Sequence, residues 1–428
     1  MKRVISFIVT ALLAVNVVCA KGFFSNRIFE LKVDVPVNVS NNAFSLNDIM
    51  VKDLVIDLRK IADDMPKKGF DLIVETSPSV STNLNIFGVS VGARGGANAF
   101  VKLNLGKELF DFLGYGYKAG DNLNIDVNPV ADVFAFAEVP VGFKVRRFKL
   151  SVTPSLFLPI ASVDDCKVGV TAYNLPDGTV GAKLNADVNF YTSALYDVAM
   201  GTATIDTINF GDYVGFDLGA SMEMPFMMED LNLRIDARIP IYPGKLDKKG
   251  TINYKYDFET KISDMIMPQE KPADTSTTTP DPTPAPAPAD PATPEGDSAK
   301  PDFTPNITNL VDPYVINRPL KLNAYAVYEP MRFLILVGGG GVGIRRPFTD
   351  SFYAYPEYYF SATVSLLDIL KATASTEYTD EMFKHQLTGV FNLRLFELDL
   401  GVSLQSGDFA ESFQLAGLGA NVAVTIGF

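Results

Sequence analysis

The C-terminal stretch Leu418–Phe428 constrains this chain more than any other. Leu418, Ala420, Val422, Val424, Ile426 and Phe428 alternate with Gly419, Asn421, Ala423, Thr425 and Gly427. Successive side chains of an extended strand point to opposite faces, so one face is oily and the other small and polar. A free chain end normally frays, and a strand of this quality that stops on an aromatic carboxylate predicts a partner holding it to its last residue. Phe29, Leu31, Val33, Val35, Val37 and Val39, alternating with Glu30, Lys32, Asp34, Pro36, Asn38 and Ser40, supply one. The first strand is expected to close against the last, with a local bulge or break at Pro36, which lacks a ladder donor.

The front of the chain sets the compartment. Lys2 and Arg3 precede an apolar run from Val4 to Val18, and Val18-Cys19-Ala20 offers a small-residue cleavage site before Lys21, the grammar of a secretory signal. Val18 stands where a small residue normally precedes a lipidated cysteine, which argues against acylation of Cys19. No later stretch is apolar for long enough to span a bilayer as a helix, so a membrane-embedded mature chain must be a closed barrel. Removing the signal leaves Cys166 as the one remaining cysteine of two, without a disulfide partner. A net charge of -13 argues against nucleic acid and against a polybasic membrane-surface patch.

One helix is expected near the start. Leu46, Ile49, Met50, Leu54, Leu58, Ile61 and Met65 recur at helical spacing between Ser45 and Pro66, and a lone amphipathic helix beside a barrel must bury its stripe as a plug in the lumen or at a rim. The plug is slightly favoured. A shorter helix is expected within Lys107–Leu113. The remainder reads as strands, with Val133–Ile160 the clearest hairpin. Val133, Ala135, Ala137, Val139, Val141, Phe143 and Val145 form one outer face and, past the Arg146-Arg147 turn, Phe148, Leu150, Val152, Leu156 and Leu158 form the next. Phe134, Phe136, Glu138, Lys144, Lys149, Ser151, Thr153 and Phe157 then face the lumen, a lining too mixed for a plain water channel. In Val89–Leu105, Gly92, Gly95 and Gly96 interrupt the pattern, as glycines do at bulges and close backbone approaches. Both signs of charge share one face on later strands, as with Arg234, Asp236 and Arg238. Inside a barrel they pair across strands, whereas on the lipid face a cation costs about 2–4 kcal/mol at the midplane.

Met267–Pro305, rich in Pro, Ala, Thr and Asp, breaks the pattern and reads as a disordered insertion. The pattern resumes from Leu320 to the end, for a total of about 14–16 antiparallel strands. The expected domain plan is a signal over 1–20 and one barrel over 21–428, with 267–305 as the insertion.

Catalytic and cofactor chemistry is not expected. The single histidine, His385, lies near a strand end without a serine elbow or orienting group in the sequence. Cys166 has no clustered histidines for a metal, and Gly338–Gly343 lacks the Gly-Lys-Ser/Thr of a phosphate loop.

The signal, the strand entry Gly69-Phe70-Asp71-Leu72-Ile73-Val74, the segment Lys107-Glu108-Leu109-Phe110-Asp111-Phe112-Leu113-Gly114 and the terminal strand resemble predicted outer-membrane β-barrels of spirochaetes, especially treponemes. Some of these are regarded as similar to the long-chain fatty-acid transporters. The resemblance implies an outer-membrane bilayer in a diderm bacterium and recognition of Phe428 by the barrel-assembly machinery. It also implies passive uptake of small hydrophobic or amphipathic molecules such as fatty acids. On that reading Phe134, Phe136 and Phe157 touch ligand, and the strand broken by Gly92, Gly95 and Gly96 is a possible side gate. The chain departs from the fatty-acid transporters in lacking a clear N-terminal hatch and in carrying the proline-rich tract. The alternative function is a surface-exposed structural or adhesion barrel without transport activity.

Overall fold

The computed structural model describes residues 27–43, 57–116, 122–163, 166–174, 179–202, 209–261, 306–349, 352–366, 369–393, 395–414 and 416–428. The expected signal, the whole proline-rich tract and the first turns of the expected N-terminal helix lie outside them.

One closed antiparallel sheet contains every strand among the described residues. β1 (Phe29–Asn41) lies against β2 (Phe70–Thr76) and β3 (Ser79–Ile86), two halves of one wall strand, and β4 (Val89–Leu105) covers both. The next wall positions are divided likewise. They are β5 (Asn122–Glu138) with β6 (Val141–Val145), β7 (Phe148–Val163) with β8 (Lys167–Asn174), and β9 (Thr179–Thr192) with β10 (Gly215–Phe226). After these come β11 (Met228–Tyr242) with β12 (Gly244–Lys261), and β13 (Asn306–Ile316) with β14 (Leu320–Met331). Single strands complete the wall: β15 (Leu334–Arg345), β16 (Tyr353–Leu366), β17 (Leu370–Thr379), β18 (Met382–Leu393), β19 (Phe396–Ser406) and β20 (Leu418–Gly427). β20 pairs back onto β1 from Glu30↔Gly427 to Val39↔Leu418. The twenty segments thus occupy fourteen wall positions, within the expected range.

Proline explains most of the interruptions. Pro78, Pro140, Pro243 and Pro319 stand between β2 and β3, β5 and β6, β11 and β12, and β13 and β14; each lacks the N–H that a continuous ladder needs. Pro36 behaves otherwise than expected. β1 runs through it in unbroken register with β20, because its missing donor falls opposite the Ser77-Pro78 interruption of the neighbouring wall strand, while its carbonyl accepts from Thr76 Oγ1 at 2.7 Å.

Alternation sorts the two faces as expected. On β1, Asp34, Asn38 and Ser40 are buried while Val33 and Val39 are exposed, and on β20 Asn421, Ala423 and Thr425 are buried while Leu418, Val422 and Ile426 are exposed. Polar side chains therefore line the interior and an apolar band faces outward, an arrangement that suits lipid and leaves no open sheet edge around the closed ring.

The two rims differ. The start of β1 and the C-terminal Phe428 lie at the near rim with tight turns at Phe87–Gly88, Arg146–Arg147, Met227 and Arg332–Phe333; Phe87, Arg146 and Met227 take positive φ there. Long connections leave the far rim, including the one that carries the proline-rich tract between Lys261 and Asn306. Two helices lie at this rim too, while residues 44–56 of the stretch favoured as a plug fall outside the described residues. α1 (Leu58–Asp64), capped by Asp57, packs on α2 (Lys107–Tyr115). Ala62, Met65 and Phe110 bury against Phe70 and Leu105 at the ends of β2 and β4, so the described end of the apolar stripe packs at the rim. A third helix, α3 (Ala194–Met200), sits in the insertion between β9 and β10.

Candidate functional site

The interior carries the candidate site. Phe134 and Phe136 on β5 and Phe157 on β7 point inward and meet Leu246 at the start of β12 and Ile316 at the end of β13, all at most 6% exposed. Tyr191 and Tyr314 pack against the cluster, stacked on each other at 4.0 Å. Phe134 and Phe157 meet edge to face with centroids 5.8 Å apart, a favourable quadrupole geometry. The three phenylalanines expected to touch ligand are thus brought together, with neighbours from the far side of the chain.

Sequence reading placed Glu138 and Arg238 on inward faces but missed Arg318 and the convergence of charge around the rings. Arg94 from β4, Arg238 from β11 and Arg318 from the β13–β14 link converge on Glu138, at 3.3, 3.1 and 3.3 Å. Arg318 also reaches Asp217 on β10 at 3.1 Å and Ser155 on β7 at 2.8 Å. Its guanidinium and that of Arg94 lie over the Phe136 ring at 4.9 and 5.2 Å, where the ring quadrupole favours a cation. Guanidinium suits this site because its planar fork serves several acceptors at once. The available signal was the pair of Arg-Pro dipeptides, Arg318-Pro319 and Arg346-Pro347, each at a strand end.

A second layer lies toward the far rim. Arg346 donates to Asp132 at 2.9 Å and to the Val163 carbonyl at 2.8 Å, while the Arg345 guanidinium lies 3.5 Å from the Phe100 ring centroid. Beside them Ile73, Phe100 and Met382 pack together from separate parts of the wall.

Gly92, Gly95 and Gly96 stand where the wall is most interrupted, between the Pro78 and Pro140 breaks. The Ala97 N–H donates to the Pro78 carbonyl at 2.8 Å and the Gly92 N–H to the Pro140 carbonyl at 2.9 Å. A Cβ on Gly96 would sit 1.8 Å from the Pro78 carbonyl oxygen, and one on Gly92 2.8 Å from that of Thr82, whereas Gly95 has 3.7 Å to its nearest atom. The β3–β4 and β4–β5 ladders nevertheless run through this region, so the wall is closed here.

Phe428 completes the seam. Its carbonyl accepts from the Ile28 and Phe29 N–H groups at 2.6 and 3.1 Å, and its ring lies 5.8 Å from that of Phe29. His385 is less exposed than expected, at 9%. Nδ1 lies 3.0 Å from Thr376 Oγ1 and Nε2 2.7 Å from Ser412 Oγ, with Phe413 stacked on the ring. This pair is not a nucleophile and base. Ser412 is fully buried and its hydroxyl donates to the Phe409 carbonyl at 2.6 Å, so the contacts pin the β19–β20 connection to the outer wall. Cys166 Sγ lies 3.6 Å from the Asn189 carbonyl oxygen, and no metal-holding group of side chains occurs among the described residues.

Fold and site together define the class: a closed antiparallel β-barrel of outer-membrane type with an aromatic cluster on its inner face. No family model and no curated protein matches the sequence. Among solved structures, the chain is similar to the toluene transporter TodX of P. putida, at 7% identity and a TM-score of 0.43, over 95% of this chain and 91% of that one. A Pseudomonas aeruginosa FadL homologue matches at 10% identity and a TM-score of 0.42, over 95% and 91%. A porin mutant of Rh. blastica matches at 7% and 0.25, over 94% and 99%. These distant likenesses are to barrels, and they say nothing of cargo.

Proposed function

We propose that the mature chain, from Lys21, sits in the outer membrane of a diderm bacterium and passes small hydrophobic or amphipathic molecules, such as long-chain fatty acids, without an energy source. The observation that carries this reading is the inward cluster of Phe134, Phe136 and Phe157. A barrel that passes hydrated solutes keeps a polar, wet lumen, whereas this one gathers rings and aliphatic side chains at mid-height and closes round them. On this reading the near rim, with its tight turns, faces the periplasm and the long connections face outward, the usual sidedness of such barrels. The interrupted wall at Gly92, Gly95 and Gly96 is the place where local distortion offers a side exit. Phe428 serves as the assembly signal for the barrel-assembly machinery.

Transfer of a fluorescent fatty-acid analogue into liposomes holding the refolded barrel tests the proposal. Replacing Phe134 and Phe136 together by Ala removes two rings at a cost of about 3–5 kcal/mol each in packing, so insertion is checked first by heat-modifiable gel mobility. The inserted double variant is expected to lose most of the transfer. Unchanged transfer contradicts the ligand assignment, and absence of transfer by the parent barrel contradicts the function.

A further inference from the structure

We infer that the lumen is closed by the barrel's own wall, as a gate whose bolts are Arg318 and Arg346. This concerns what shuts the passage and holds whichever cargo crosses.

Both bolts arise where proline forces the chain out of the sheet. Arg318 occupies the link between β13 and β14, immediately before Pro319, and Arg346 follows β15, immediately before Pro347. Freed from the ladder, each link turns inward and sends its guanidinium to the opposite wall. Arg318 reaches Asn98 on β4, Glu138 on β5, Ser155 on β7 and Asp217 on β10, so one side chain joins four consecutive wall positions. Arg346 reaches Asp132 on β5, and Ser162 and Val163 on β7. Because Phe100 pairs with Asp132 and Arg94 with Glu138 along β4 and β5, the contacts form two stacked layers. Arg346 bolts the layer toward the far rim and Arg318 the one beneath it.

The two links are also tied to each other. Asn317 Nδ2, one residue before Arg318, donates to the carbonyl of Pro347, one residue after Arg346, at 3.2 Å. Withdrawal of one bolt therefore pulls on the other, as a single moving part requires.

Ionic bolts suit a closure that must reopen. A buried ion pair contributes little net stability because desolvation offsets most of the Coulomb gain. When the pair parts and water enters, both groups recover hydration. An apolar plug of the same size would instead lose about 25 cal/mol for every Å² exposed. Side chains as enclosed as Arg318, Glu138 and Asp217, at 3%, 3% and 0% exposure, are thus held shut without the large penalty that opening an apolar core carries.

Ion conductance of the refolded mature chain in planar lipid bilayers tests the gate. The parent barrel is expected to stay near baseline. Arg318→Met combined with Arg346→Met is expected to raise conductance about tenfold, since both charged constrictions are removed. Asp132→Asn combined with Glu138→Gln and Asp217→Asn removes the carboxylates that hold both bolts while keeping wall volume, so it serves where the arginine pair fails to insert. Heat-modifiable mobility establishes insertion for each. An inserted variant that conducts no better than the parent overturns the inference, as does a parent that already conducts in large steps. Fatty-acid transfer by the parent is read separately; its absence bears on the proposed function and not on the gate.

Discussion

At the scale of single residues, the glycines of β4 separate a geometric requirement from a pattern. Gly96 has no room for a Cβ because the Pro78 carbonyl oxygen would lie 1.8 Å away, whereas Gly95 has 3.7 Å. Gly96→Ala is expected to destabilise the barrel by about 1–3 kcal/mol through overpacking, and Gly95→Ala to stay within about 0.5 kcal/mol. Urea unfolding in detergent micelles checks both, and equal losses would contradict the assignment. The sequence marks these glycines as interruptions of a strand but cannot rank them, because the clash is with a neighbouring strand's backbone. The inward register of Phe134, Phe136 and Phe157 is legible, since alternation alone assigns a face. The convergence of Arg94, Arg238 and Arg318 on Glu138 is not, because those residues are far apart in the chain and meet only when the ring closes.

At the scale of elements, strands of even alternation such as β5, β7 and β20 can be read with their faces, while elements broken or placed by tertiary contacts cannot. Four of the six divided wall positions depend on where a proline falls relative to its neighbour, which is why Pro36 leaves β1 intact and Pro78 splits the next strand. The amphipathic stripe of α1 is visible in the sequence, but its burial against α2 and the ends of β2 and β4 is not. The rim around it has a predicted acid weakness. Lys68, just before β2, meets Glu381, in the β17–β18 turn, at 2.7 Å. Burial raises the Glu381 carboxyl, but hydrogen bonds from Lys68 and Tyr353 and the charges of Lys68 and Lys102 outweigh this and hold it below its ordinary 4.5. A carboxyl lowered by folding contributes stability that is present above its unfolded value and is lost as pH falls through the folded value. The protection factors of amides at residues 67–69 and 380–381 are therefore expected to fall as pH drops below the ordinary carboxyl value of 4.5, with the middle of the wall unchanged. Lys68→Met should weaken that pH dependence, and an unchanged dependence in the variant would contradict the assignment.

At the scale of the whole molecule, closure organises everything else. Pairing of β1 with β20 removes the open edges that a single long sheet would otherwise present. It also directs the polar faces inward, where residues from distant strands form the two layers that fill the lumen, and leaves an apolar band outside that only lipid or detergent can cover. The measurement that tests this most directly is gel mobility, with and without boiling, of the mature chain refolded in detergent and in buffer alone. A compact, fast-migrating band that appears only with detergent and disappears on boiling is the predicted result. A well-folded monomer in plain buffer would contradict the membrane barrel, and with it every inward and outward assignment made from the alternation.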